Sequence, residues 1–208
     1  MSVGPRSLPS TTDGVPVINS FIARDRSLAG FARPDVDPFV GRYETRESGH
    51  VVGGFSVPDC PDTGLTSWST VGASFFDTGY RTARGTPMTV EFVGCAGSSW
   101  DRFGTALAFC TFFVADGGPS RYGAVVRGAF SHAGPDVTTP HGFIVAPFCW
   151  QNAFAPYEDA DVHTTWLQVV PITDGEAAFA EERTGDALED LFERSQPDLF
   201  DLGRSSLV

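Results

Sequence analysis

The order of strand-like and helix-like segments limits what this 208-residue chain can fold into. Runs rich in Val, Phe, Trp and Thr alternate with clusters of Gly, Pro and Asp, a pattern typical of strands joined by turns. These runs lie at residues 40–47, 50–57, 67–75, 87–94, 122–130, 142–150 and 164–172. Because helical patterns do not alternate regularly with them, we expect an α+β fold with a mixed or antiparallel sheet packed with helices.

Helical patterns occur in the middle of the chain and near its end. Residues 99–114 carry apolar side chains at helical spacing, and Ser98–Asp101 has the spacing of a capping box. After the last strand, Asp174 is the predicted cap of a short helix. A second helix begins at Asp186 and is stopped by Gln196–Pro197.

The composition suits one globular domain. The hydrophobic fraction of 41% and the aromatic fraction of 12% are enough to build a core in a chain of this length. Residues 1–14 are rich in Ser, Thr, Pro and Gly, and we predict a flexible lead-in there. We predict a single domain over residues 15–208, with a first helix that Asp13 caps and that begins near Pro16.

The negative charge is concentrated near the C-terminus. From Glu158 to Asp201 the chain carries 13 carboxylates against Arg183 and Arg194, or −11 of the total formal charge of −12. These acids are Glu158, Asp159, Asp161, Asp174, Glu176, Glu181, Glu182, Asp186, Glu189, Asp190, Glu193, Asp198 and Asp201. Six of them are assigned mainly to the exposed faces of the two last helices, namely Glu176, Glu181, Glu182, Glu189, Asp190 and Glu193, and Glu158, Asp159 and Asp161 to one loop. An acidic chain repels nucleic acid and favours a basic protein partner.

Cysteine use and apolar runs bear on the compartment. The four cysteines show no CxxC spacing, which favours reduced thiols in a cytosolic protein. The start of the chain lacks the apolar segment of a signal peptide. The longest apolar run, residues 106–115, is shorter than the roughly 20 residues that a membrane span needs. We therefore expect a cytoplasmic protein that does not contact a membrane.

Motifs for catalysis and for cofactors do not appear. The chain has no GxSxG and no GxGxxG after a strand, and without lysine it cannot form a Walker motif. Cys149 lies between Phe148 and Trp150, which indicates packing, although a pair with His141 or His163 would make a small enzyme. We predict no catalytic residues, no metal site and no cofactor.

Two loops offer alternatives to that prediction. His132, Asp136 and His141 would form a metal site if they met, but a loop of Gly, Pro and Thr explains them more simply. The acidic run Glu158–Asp161 suits Ca²⁺, an arginine-rich partner, or the tip of a solvated hairpin.

Several segments in order resemble the suppressor-of-fused domain family. The strongest match is Thr165–Thr173, TWLQVVPIT, followed by Glu176, Phe179, Ala187–Leu188 and Leu191. Further matches in the same order are Ser69–Ser74, Thr89–Gly94, the helix after Ser99, and His141–Trp150. The resemblance extends from about Val40 to Val208.

This resemblance implies an α+β domain without catalytic machinery. The animal protein that names the family holds a transcription factor between two domains, and this chain has room for only one, so that site is not transferred. Single-domain bacterial members look like immunity proteins that neutralise a toxin by binding it. The resemblance therefore implies a non-enzymatic protein-binding domain of the immunity type, with a basic toxin as partner. A regulatory or structural interaction module is the alternative function.

We predict that the partner contacts exposed acids in three segments. These residues are Asp59, Asp62, Glu158, Asp159, Asp161, Glu181, Glu182, Glu189 and Asp190. Carboxylates on such surfaces steer a cationic partner and set its orientation.

Overall fold

A mixed sheet forms the centre of the protein in a computed structural model, which describes residues 18–46, 48–150 and 154–208. The strands are β1 (Gly41–Glu44), β2 (Val51–Pro58), β3 (Leu65–Val71), β4 (Met88–Gly97), β5 (Val125–Val126), β6 (His141–Val145), β7 (Tyr157–Glu158) and β8 (His163–Ile172). The helices are α1 (Ser20–Gly30), α2 (Phe103–Ala115), α3 (Asp174–Glu182) and α4 (Gly185–Ser195), with a 3-10 turn at Ala73–Phe75. The predicted lead-in at residues 1–14 lies outside the described residues.

The sheet has the order β1-β2-β3-β4-β8-β6-β5, and β7 pairs with one end of β8. The pair β4–β8 is parallel and the other pairs are antiparallel. The predicted α+β class with a mixed sheet packed with helices is therefore confirmed.

Helices cover both faces of the sheet. On β8, Leu167 and Val169 face a core shared with α2, whereas Trp166 faces the opposite side. On that opposite side α1 packs over β2, β3 and β4, and α3 and α4 pack over β6 and the end of β8. Since β4 and β8 are buried on both faces, they lack the strict alternation of apolar and polar side chains that a half-exposed strand shows.

The starts of two helices differ from their prediction. Asn19 caps α1 by accepting a hydrogen bond from Phe21 N, while the predicted cap, Asp13, lies outside the described residues. The Ser98–Asp101 capping box does not form, and α2 begins at Phe103 without a side-chain cap. Ser98 is already engaged, because its hydroxyl bonds Thr66 and its N–H donates to the carbonyl of Gly64.

A buried carboxylate joins β4 to the turn that follows β3. Glu91 is fully buried, and its oxygens accept hydrogen bonds from N–H groups of Gly72, Ala73 and Ser74 and from hydroxyls of Thr70 and Ser74. Gly72 has φ +103°, a conformation that side chains disfavour. Such a concave set of N–H groups binds anions, and here the anion is the protein's own side chain.

Replacing Glu91 with Gln should destabilise the fold. In the variant an amide NH2 replaces one carboxylate oxygen, so donors that now have an acceptor would face another donor. We expect a loss of about 2–3 kcal/mol in the free energy of unfolding. Urea denaturation followed by circular dichroism measures this loss. The exposed Glu44→Gln variant is the control and should change stability by about 0.5 kcal/mol or less. Equal midpoints for the two variants would contradict a structural role for Glu91.

Candidate protein-binding surface

The start of α3 is fixed by a capping box whose N-cap lies one residue before the predicted cap, Asp174. Thr173, not Asp174, is the N-cap: its hydroxyl accepts from Glu176 N, and the Glu176 carboxylate accepts from Thr173 N. Glu176 is fully buried, so its assignment to an exposed acidic face was wrong. The spacing Thr-x-x-Glu ahead of the helix was the signal that identifies this box.

Arg204 balances the charge of Glu176 inside the protein. The two side chains form a bidentate pair with N–O distances of 2.6 and 2.7 Å, and Arg204 is 7% exposed. Arg204 also lies over the ring of Phe192 on α4. Buried Leu202 accepts hydrogen bonds from Thr138 and Thr139 through its carbonyl. The C-terminal segment thus anchors α3 and α4 to the sheet.

Further polar contacts tie both ends of α3 to the strands β5 and β6 and the turn between them. Arg127 donates two hydrogen bonds to Glu181, at 3.1 and 2.6 Å, and these bonds hold the pKa of Glu181 below its ordinary value. His141 accepts from Gly128 N through Nδ1, so its Nε2 carries the proton that Asp174 accepts at 2.8 Å. Glu181 is therefore already paired within the chain.

Four carboxylates form a stripe along α4. Asp186, Glu189, Asp190 and Glu193 have the spacing i, i+3, i+4 and i+7, which places them on one face, and all four are exposed. Leu188 and Phe192 pack inward on the other face. We call these four residues the α4 acidic stripe.

The charges of the α4 acidic stripe are not balanced by ion pairs in the described part of the chain. Partial burial, followed by the charges of Asp186, Glu193 and Asp190, raises the pKa of Glu189. Burial is the larger cause of this shift, and repulsion among the carboxylates of the stripe adds to it. Among the predicted contacts, Glu189 and Asp190 belong to the stripe, whereas exposed Glu182 lies at the end of α3. Asp186 and Glu193 were missed, although their helical spacing was the signal that identifies them.

The acidic loop between β7 and β8 is a hairpin tip in which two of the carboxylates accept hydrogen bonds from the hairpin itself. Asp159 accepts hydrogen bonds from the N–H groups of Asp161 and Val162, which lower its pKa. Glu158 accepts from His163 Nδ1 at 2.6 Å. Asp161 is exposed.

The turn that carries Asp59 and Asp62 has a similar internal role. Asp59 has φ +50° and its carboxylate accepts from Gly64 N at 3.0 Å, which closes the turn between β2 and β3. Asp62 is exposed, and its carbonyl accepts from Leu65 N.

The three predicted segments lie at two ends of the sheet. The hairpin tip precedes β8 and α3 follows it, so a ten-residue strand, about 30 Å long, separates them. The Asp59–Asp62 turn lies at the same end as α3, because β4 and β8 run parallel and Leu65 pairs with Gly97. The structure therefore does not join all nine predicted residues into one patch.

Cys149 does not have the surroundings of a reactive thiol. Gln168 Nε2 donates to its sulfur at 2.8 Å, and burial raises the pKa of the thiol to about 12. In the described residues no hydrogen bond joins a histidine to this thiol, because His141 and His163 are paired with Asp174 and Glu158. At neutral pH the thiol stays protonated, unlike a catalytic nucleophile.

The described residues form neither a metal-binding cluster nor a membrane-spanning helix. Among the residues that the structure describes, no three His, Cys, Asp or Glu side chains lie close enough to hold a metal ion. Each described helix is too short or too polar to span a bilayer.

These features occur on the fold of a known family of protein-binding domains. A sequence model described as "Suppressor of fused protein (SUFU)" matches residues 49–205, which is most of the chain. The chain therefore belongs to the suppressor-of-fused family, as its sequence resemblance predicted.

Individual relatives support this assignment. The chain is 31% identical over 196 residues to "Immunity protein YqcF" of Bacillus subtilis (strain 168), covering 94% of this chain and all of that protein. The crystal structure of a SUFU homologue from Neisseria gonorrhoeae FA 1090 has a TM-score of 0.64 at 16% identity, covering 91% of this chain and 96% of that one. A crystal structure of the Sufu–Fu complex has a TM-score of 0.57 at 11% identity, covering 88% and 89%. The names of the family and of the YqcF relative point to a non-enzymatic binding protein.

Removing the positive partner of Glu176 should cost much of the stability. Arg204→Met leaves a buried carboxylate without its counter-charge, and we expect a loss of about 3–5 kcal/mol in the free energy of unfolding. Chemical denaturation measures the loss, with the exposed Arg194→Met as control. Adding Glu176→Gln to Arg204→Met should recover part of it. A single Arg204→Met variant as stable as the control would contradict this account.

Neutralising Glu189 should stabilise the protein. A carboxyl whose pKa is raised by folding favours unfolding at neutral pH, and this cost disappears as the pH falls through the folded-state pKa. We expect Glu189→Gln to raise the free energy of unfolding at pH 7 by about 0.5 kcal/mol, and the gain to vanish at acid pH. Thermal melts over a pH series measure this. Glu182→Gln, outside the stripe, should show a smaller gain.

Proposed function

We propose that this chain is a non-enzymatic immunity-type protein that neutralises a toxin by direct binding. The observation that carries the proposal is the similarity to Immunity protein YqcF, which extends over the whole of that protein and nearly all of this chain. Similarity at this level and coverage supports a shared mode of action as well as a shared fold. The surroundings of Cys149 support binding rather than catalysis.

The α4 acidic stripe is the proposed centre of the partner surface. Its carboxylates repel one another, so a cationic partner would gain attraction and also relieve this repulsion. Four of the other predicted acids would gain less from a cationic partner, because their carboxylates already accept hydrogen bonds within the chain. These acids are Glu181, Asp159, Glu158 and Asp59. The partner we propose is therefore a basic toxin domain whose cations line up along one helix.

The remaining predicted contacts would lie around the α4 acidic stripe or far from it. Glu182 is exposed at the end of α3, outside the stripe but only four residues before Asp186, so it suits the margin of the same surface. Asp62 and Asp161 are exposed at opposite ends of the sheet, so they suit the rim of a large interface rather than its centre.

Co-expression with the product of the neighbouring gene tests the proposed function. We expect growth arrest when that product is expressed alone, survival when this chain is present, and a complex that co-purifies. The apparent affinity should fall steeply with salt, because paired surface charges are screened. A harmless neighbour that does not bind this chain would refute the proposal.

Neutralising two acids of the stripe tests the proposed surface. We expect the variant Glu189→Gln with Asp190→Asn to weaken binding by about tenfold and to reduce its salt dependence, as measured by titration calorimetry. The matched control is Asp35→Asn with Asp136→Asn, which removes the same charge from exposed positions elsewhere. The control should bind within about twofold of the original chain. Equal losses in both variants would show that only net charge matters.

A further inference from the structure

Among the residues that the structure describes, strand β1 forms an open edge of the sheet. It pairs with β2 and with no other described strand, and it is the first strand in the sheet order. An uncovered edge presents unpaired N–H and C=O groups that can pair with another strand. Proteins usually protect such an edge from pairing with other chains. The side chains along it therefore indicate which partner strand it can accept.

The backbone groups of Arg42 and Glu44 point to the open side. Thr45 N donates to His50 O, which makes Thr45 a residue hydrogen-bonded to the neighbouring strand. Because hydrogen bonding alternates along an antiparallel strand, Tyr43 also bonds toward β2. Arg42 and Glu44 then direct their N–H and C=O groups away from the sheet.

The side chains at these positions have opposite charges. Arg42 and Glu44 lie on one face of β1, are both about half exposed, and form an ion pair at 2.9 Å. Tyr43 faces the other side, where its hydroxyl approaches Gly104 on α2. The edge therefore presents one positive and one negative side chain, each beside backbone groups that no described strand pairs.

These charges select one register for a second copy of the strand. In an antiparallel pair with a two-fold axis at Tyr43, Arg42 of each copy lies opposite Glu44 of the other. The outward backbone groups then form hydrogen bonds at both of these positions. An axis at Arg42 or at Glu44 would instead place like charges opposite each other.

Exposed apolar side chains flank the same edge. Phe39 is 92% exposed, and Val40 beside it is 37% exposed. In the register centred on Tyr43, Val40 of one copy lies opposite Arg46 of the other. Val40 is then placed to cover the aliphatic part of that arginine, since both lie on the Arg42 face of the strand.

We propose that two copies of this chain associate through β1, in antiparallel register about Tyr43, so that the two sheets become continuous. The surface is separate from the α4 acidic stripe, so the proposal does not depend on the proposed function. A self-complementary patch of this kind is what a two-fold dimer requires.

Sedimentation velocity from micromolar to millimolar concentration tests the proposal. We expect a reversible monomer–dimer equilibrium for the original chain. Arg42→Glu should raise the dissociation constant by about tenfold or more, because two attractive pairs become repulsive. The control, Arg121→Glu, makes the same charge change at an exposed position elsewhere and should leave the equilibrium unchanged.

Charge exchange identifies the register. Arg42→Glu and Glu44→Arg should each dissociate alone, but a mixture of the two variants should form a heterodimer, and the double variant should recover the homodimer. A chain that stays monomeric at every concentration would overturn the proposal. A dimer that Arg42→Glu leaves intact, or a mixture without heterodimers, would overturn it equally. Circular dichroism confirms that each variant is folded.

Discussion

The parallel pairing of β4 with β8 is the contact on which the rest of the structure depends. It joins the hairpins β1–β2–β3 to the C-terminal half of the chain, and the register runs from Met88–His163 to Val93–Gln168. Both strands are buried on both faces, so each contributes to two cores at once. Since β8 leads directly into α3, its position also decides where the C-terminal helices and their acids lie.

Two buried carboxylates show how the fold uses charge internally. The Glu91 carboxylate accepts hydrogen bonds from backbone N–H groups and hydroxyls of the turn after β3. The charge of Glu176 is instead balanced by the charge of Arg204. Each is buried because its oxygens are fully engaged, which offsets the cost of removing a carboxylate from water. Glu91 and Glu176 therefore stabilise the fold, and only the other acids of this acidic chain can contact a partner at the surface.

The surface acids fall into two groups with different consequences. Glu158, Asp159, Asp59 and Glu181 close turns or pair with His or Arg, so they mainly serve the fold. The α4 acidic stripe makes no ion pair in the described residues, and its charges add to partial burial in raising the pKa of Glu189. A cationic partner at this helix fits the immunity-type function proposed from the YqcF relative.

The sequence by itself determined the fold class, the family and most of the central strands and C-terminal helices, because these depend on local apolar periodicity and on a short ordered signature. Only the tertiary structure decided the order of the sheet, the burial of Glu91 and Glu176, and the separation of the acidic segments by the length of β8. Glu176 finds its partner 28 residues away in Arg204. No local pattern encodes such a pairing, because it arises only when the chain closes on itself and water is excluded.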